Sequence, residues 1–99
     1  MKFAQIIEVE TERMDEMRAL IERFEKTSMG KDRPSHRTVL QDRAKSNRFL
    51  IIIEFESYEK AMRNSSDPEV GKLSEQLAAL ATKKPVFTDC DIREQADIK

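Results

Sequence analysis

Cysteine occurs once in the 99 residues, as Cys90; tryptophan is absent, glycine occurs twice and proline three times. One thiol can close no internal disulfide and cannot hold an iron–sulfur cluster, which excludes a disulfide scaffold and a ferredoxin-type electron carrier. So little glycine and proline argues against long flexible linkers, and no repeat or low-complexity stretch is visible. No apolar run approaches the length of a membrane span, and the opening Met1-Lys2-Phe3-Ala4-Gln5 lacks the apolar core of a signal peptide. A cytoplasmic location is therefore the expectation. Charge of one sign is also lacking: 18 Lys and Arg stand against 19 Asp and Glu, for a net charge of −1. Such a chain carries no general field for a polyanion, so neither nucleic acid nor an anionic membrane is an expected partner.

What is present is clear periodicity. Residues 2–10, KFAQIIEVE, alternate with Phe3, Gln5, Ile7 and Val9 on one face, which predicts a strand. Thr11 is placed to cap a helix whose stripe is Met14, Met17, Leu20, Ile21 and Phe24, with Gly30 as its stop. HRTVLQDR (36–43) and RFLIIIEF (48–55) read as further strands. In the latter, Phe49, Ile51, Ile53 and Phe55 share one face while Leu50 and Ile52 share the other, as in a central strand covered on both sides. Ser57 can cap a short helix carrying Tyr58, Ala61 and Met62. Asp67 and Pro68 then start a second run with the stripe Val70, Leu73, Leu77 and Leu80, in which Lys83 and Lys84 suit the C-terminal end. VFTDCDI (86–92) reads as a last strand.

The order is β-α-β-β-α-β, which predicts an α+β, ferredoxin-like fold: a four-stranded antiparallel sheet with helices on one face. A single domain over residues 1–92 followed by a polar tail over 93–99 is expected. Helices on one side leave the other sheet face bare, yet Leu50, Ile52 and the centre of the first strand offer it apolar groups. A bare apolar face of that size implies a partner, and the simplest partner is a second copy packed sheet against sheet about a two-fold axis. A homodimer is thus expected.

With both sheet faces apolar, this pattern resembles the dimeric α+β barrel superfamily, including the antibiotic-biosynthesis-monooxygenase-like proteins. The local anchor is FESYEKAMRNSSDPEV, residues 55–70. Many members of that group end the third strand with tryptophan, place a histidine nine residues later at the end of a helix, and restart at a Ser/Thr-x-Pro-like step. Here Phe55, Asn64 and Pro68 stand at those positions, so the spacing is kept while the two signature side chains differ. The segment is also similar to one carried by a branch of that group. The resemblance implies a small enzyme that needs no cofactor, acting on an aromatic or polyketide-like molecule. In such enzymes the substrate, as a phenolate or enolate, itself gives an electron to dioxygen, while the protein deprotonates it, keeps it dry and stabilises the oxyanion. Asn64, Tyr58 and His36 are then the catalytic candidates, and Gln5, Arg37 and Phe55 the ligand-binding ones. Haem-degrading relatives use a ligating histidine and a tryptophan that this chain lacks, so haem is not expected.

Each candidate also has a plainer reading. His36 is the only histidine and builds no metal site by itself, so no metal is expected. Asn64 suits the left-handed end of a short helix, and Tyr58 can pack its ring while its hydroxyl stays wet. Asp89 and Asp91 share a face of the last strand, either as a carboxylate pair or as a solvated edge. Met14, Met17, Met29 and Met62 read as core filler, and Cys90, on the face of Val86 and Ile92, as an inert buried thiol. A non-catalytic ligand-binding or structural dimer is therefore the alternative function. RNA-recognition modules share the element order but stack bases on aromatic residues of the third strand, where this chain has Leu50 and Ile52.

Overall fold

The computed structural model describes residues 1–27 and 32–99. Its elements follow as β1 (Phe3–Glu10), α1 (Met14–Thr27), β2 (His36–Gln41), β3 (Arg48–Phe55), α2 (Tyr58–Ser65), α3 (Pro68–Leu80) and β4 (Val86–Asp91). The strands form one antiparallel sheet in the order β2-β3-β1-β4, the ferredoxin-like α+β arrangement, with the second crossover divided into α2 and α3. The division lies at Asp67, whose carboxylate accepts from Glu69 N at 2.9 Å. Pro68 follows as the first helical residue, where a missing N–H costs nothing. Ser57 caps α2 in the same way, accepting from Lys60 N at 3.2 Å.

Register decides which side chains meet. Phe3 stands opposite Phe55, Gln5 opposite Ile53, Ile7 opposite Ile51 and Val9 opposite Phe49, so the odd positions of the two central strands form one face. Two packed clusters lie on it under the helices. Val9, Phe49 and Ile51 pack with Met17 of α1, joined by Leu77 and Leu80 of α3. At the other end of β1, Phe3 and Phe55 pack with Ala61 of α2. Ile6, Thr38, Leu40, Leu50, Ile52, Val86 and Thr88 fall on the opposite face by the same registers, and no helix packs there among the described residues.

Polar groups tie the chain ends of these elements together. Thr11 is 2% exposed and fully engaged. Its hydroxyl donates to Leu80 O at 2.7 Å and accepts from Arg13 N at 2.9 Å, while its own N–H donates to Asn47 O at 2.9 Å. Glu10, 8% exposed, lies between the ammonium groups of Lys45 and Lys83. Hydrogen bonds from Lys45 first and Lys83 second hold its carboxyl at about 2, below the usual 4.5, against the opposing effect of its burial.

Several boundaries differ from the sequence expectation. α1 begins at Met14, so Thr11 lies outside the helix while still bonding to its entry. α3 ends at Leu80 rather than near Lys84, because Ala81 leaves the helix in an extended conformation. Lys83 then reaches Glu10 instead of completing a last turn. The strand over 36–43 stops at Gln41, since Asp42 turns the chain by accepting from Ala44 N at 2.7 Å. That bond, ahead of the one from Arg48, keeps the Asp42 carboxyl below its ordinary value. Gly30 as a helix stop and Met29 as core filler lie outside the described residues. No residue after Asp91 belongs to a helix or strand, although Ile92 N donates to Lys2 O at 2.9 Å.

Candidate functional site

Between the two packed clusters the sheet and the helices stand apart. Gln5, Ile7 and Ile53 occupy the middle of the helix-facing surface, where they line a cavity of about 400 Å³. Ile51 and Phe55 extend its floor, α1 contributes Met17, Ile21 and Phe24, and α3 contributes Val70, Leu73 and Leu77. The apolar stripe of α3 is therefore only half-buried: none of its residues is fully covered, because the stripe faces the cavity. Pro85 and Phe87 also line it, and Phe87 is 54% exposed although its side chain is fully apolar. The volume lies within the ~300–1,000 Å³ of ordinary small-molecule sites, and a mostly apolar wall with a few polar groups is their usual make-up.

Four of the residues singled out from the sequence line this cavity: Gln5, Arg37, Phe55 and Asn64. Gln5 comes from the middle of β1 and donates its amide to Asp89 Oδ1 at 3.0 Å, which leaves its carbonyl and one N–H for another partner. Asn64 lies in the last turn of α2, half-buried, and its side-chain amide bonds to none of the described residues. It is not the left-handed cap of the plainer reading: no described residue has positive φ, and Ser66 ends the helix at φ −86° and ψ −4°. Arg37 forms a two-pronged ion pair with Glu25 of α1, Nε to Oε2 at 2.8 Å and Nη2 to Oε1 at 3.1 Å.

Tyr58 and His36 are placed elsewhere. Tyr58 is 51% exposed and sets its ring edge-on to Phe3, with centroids 5.4 Å apart. It shares the three-residue spacing of Ala61 and Asn64, but it opens α2 at the sheet margin, whereas Asn64 ends the helix beside the cavity. His36 is turned from the cavity by strand alternation, since its neighbour Arg37 faces inward. It lines a separate depression of about 270 Å³ with Arg33, Pro34, Ser35, Glu25 and Arg37, and its Nδ1 is 3.2 Å from Ser35 Oγ. Of the two acidic residues on β4, Asp89 serves the cavity indirectly by holding Gln5, while Asp91 lies beside Phe3 in the register. Cys90, on the bare sheet face, is half-buried.

Glu25, Ser74, Glu75, Lys84 and Phe87 also line the cavity and were not found from the sequence. Glu25 did carry a signal, for it lies four residues after Ile21, on the buried stripe of its helix rather than opposite it. The carboxyl groups held low by their surroundings (Glu10, Asp42 and Glu16, the last beside Arg13) are all outside the cavity. Among the described residues, no group of three or more His, Cys, Asp or Glu is arranged to hold a metal ion. No described helix is long and apolar enough to cross a membrane.

No protein-family model matches the sequence, and no curated protein matches it. Solved structures do. SnoaB from Streptomyces nogalater, a cofactor-independent oxygenase solved as an asparagine-to-alanine mutant, is 17% identical, with 95% of each chain covered and a TM-score of 0.76. Rv0793 from Mycobacterium tuberculosis is 13% identical over 98% of this chain and 100% of its own, with a TM-score of 0.74. A Deinococcus radiodurans protein named for antibiotic biosynthesis monooxygenases is 17% identical over 100% and 99%, with a TM-score of 0.73. At such identities the likeness concerns backbone architecture, and it extends over nearly the whole length of each chain. The chain has the ferredoxin-like α+β fold of the antibiotic-biosynthesis-monooxygenase-like structures.

Proposed function

We propose that the protein is a small cofactor-independent, monooxygenase-like enzyme, working as a homodimer on an aromatic or polyketide-like molecule held in the 400 Å³ cavity. The cavity itself carries the reading. A chain built only to hold a dimer together would fill the space between its helices and sheet with Phe, Leu and Ile. Here Val70 and Leu73 face an unfilled volume instead. SnoaB, with the same fold, supplies the chemical analogy.

The lining offers what such chemistry asks of a protein. Apolar walls keep water from a reactive phenolate or enolate and strengthen every hydrogen bond within. The amide N–H groups of Asn64, with no protein partner among the described residues, suit an oxygen that gains charge as the substrate is deprotonated. Gln5, fixed by Asp89, offers a second amide. Glu25 is held in its ion pair with Arg37, so a proton released by the substrate would pass to Glu75, the other carboxylate at the wall, or to solvent. His36 and Tyr58 take no direct part in this reading.

The second copy would cover the bare sheet face, where Ile6, Ile52 and Thr38 stand side by side in the register and Leu40 and Val86 are 43% and 49% exposed. The ion pairs of Arg48 with Glu8 and Asp42, each at 3.1 Å, would form part of its polar rim.

Native mass spectrometry of freshly purified protein, followed by oxygen-uptake assays with polycyclic phenols and enolisable ketones, tests both parts. A dimer with turnover that is lost in Asn64→Ala, while the variant stays folded, is the expected result. Unchanged turnover in that variant removes Asn64 from the mechanism. Binding without oxygen uptake would favour a ligand-binding dimer, a reading supported by the absence of the chain's one histidine from the cavity.

A further inference from the structure

The Arg37–Glu25 pair stands at the boundary of two spaces, since both residues line the apolar cavity and also the polar depression outside it. An arginine in an apolar wall would ordinarily mark a site for a carboxylate, which its planar fork grips in two-pronged fashion. That fork is already occupied. Nε and Nη2 are both committed to Glu25, at 2.8 and 3.1 Å, and the two side chains are only 22% and 28% exposed.

A guanidinium has five N–H groups. Three remain after the two bonds to Glu25, including both on Nη1, which bonds to none of the described residues. The pair thus presents donors without net charge. The rest of the lining repeats this balance, with Glu75 against Lys84. Arg33 lines the outer depression and not the cavity, so its charge lies on the solvent side of the pair.

We infer that Arg37, neutralised and oriented by Glu25, is a specificity-determining residue that donates a hydrogen bond to a neutral carbonyl oxygen of the ligand and discriminates against a carboxylate in the same place. A carboxylate entering the cavity at this wall would lose its hydration and meet the Glu25 carboxylate beside the Arg37 fork, two of whose donors are already taken. A ketone or quinone-type carbonyl takes a hydrogen bond from the remaining N–H groups and incurs neither cost. The ligand therefore carries an uncharged carbonyl at this wall, as an enolisable aromatic ketone does. This inference rests on the reading of the cavity as a ligand site, and its test separates the two.

The probes are 2-acetylnaphthalene and 2-naphthoate, which share a ring system and differ at the carbonyl carbon by a methyl group against an ionised oxygen. Their binding to the full chain is measured by equilibrium dialysis at neutral pH. The unaltered protein is expected to favour the ketone by roughly tenfold or more beyond any ring contribution common to both. Glu25→Gln keeps an acceptor for Arg37 but removes the negative charge, and should raise naphthoate affinity roughly tenfold while changing ketone binding little. Arg37→Met should weaken the ketone, with circular dichroism confirming the fold. Ketone binding with an unchanged ketone-to-naphthoate ratio in Glu25→Gln would overturn the inference and leave the ligand cavity standing. Naphthoate bound as tightly as the ketone by the unaltered protein would overturn it equally. Failure of both probes to bind would overturn the cavity reading and this inference together.

Discussion

Met17 and Leu73 both lie on the apolar stripe of an amphipathic helix, and the tertiary structure gives them opposite weights. Met17 is 1% exposed and belongs to the cluster with Val9, Phe49 and Ile51. Cutting it to alanine deletes three buried heavy atoms, a change that costs ~2–5 kcal/mol when the surroundings cannot close in. They cannot here, because Met17 also lines the cavity and the lost volume simply enlarges it. About 3 kcal/mol is expected. Leu73 faces the same cavity from α3 but is only half-buried and joins neither cluster. Full burial of a leucine is worth ~1.5–3 kcal/mol, and alanine recovers a little helix propensity, so Leu73→Ala should cost about 1 kcal/mol or less. Urea unfolding at one fixed protein concentration distinguishes them. With a slope near ~1.5 kcal/mol per molar, the midpoint falls by roughly 2 M for Met17→Ala and by about half a molar for Leu73→Ala. Met17→Leu, which nearly conserves volume, should cost less than about 1.5 kcal/mol. Equal midpoint shifts for the two alanine variants would refute the claim that α3 overhangs an unfilled space.

Three further outcomes are expected. The Glu10 carboxyl is held at about 2 in the folded chain against 4.5, so its stabilisation is complete above 4.5 and is lost as pH falls towards 2. Melting temperatures across that window should fall less steeply for Glu10→Gln than for the unaltered protein, and superimposable acid limbs would contradict the role given to Lys45 and Lys83. A Cβ at Gly71, inside α3, meets nothing within 4 Å. Gly71→Ala should therefore stabilise by ~0.5–1 kcal/mol and raise the melting point by a few degrees, and a lower melting point would mean that the space is taken. Ile52→Lys puts a charge at the centre of the bare sheet face, beside Ile6 and Thr38. Light scattering should show dimers of the unaltered chain, as the proposed pairing requires, and monomers of the variant; a dimer that survives the lysine must use another surface.

The site was legible in parts that follow from alternation and spacing. Gln5 and Phe55 could be placed on one face because β1 and β3 alternate strictly, and Arg37 because it precedes Val39 by two. The same alternation excludes His36 from that face, a consequence that needed only the register of β2 against β3. Tyr58 and Asn64 share one helical stripe, so spacing could not separate them; the position of the α2 ends over the sheet does. Glu25 showed its stripe position but not its partner, which is 12 residues away on another element.

The sequence by itself determined the order of strands and helices, the starts of α2 and α3 at Ser57 and Asp67, and the two-faced character of β3. These are short-range properties, fixed by side-chain period and by caps that act over a few residues. Only the tertiary structure decided that a cavity exists. α3 rests on the Val9–Met17–Phe49–Ile51 cluster through Leu77 and Leu80, while Val70 and Leu73 extend over the gap between it and the Phe3–Phe55–Ala61 cluster. A helix stripe of Val and Leu reads identically whether it presses on a sheet or spans an opening. The difference lies in where two distant clusters hold the helix, and no local pattern records that distance.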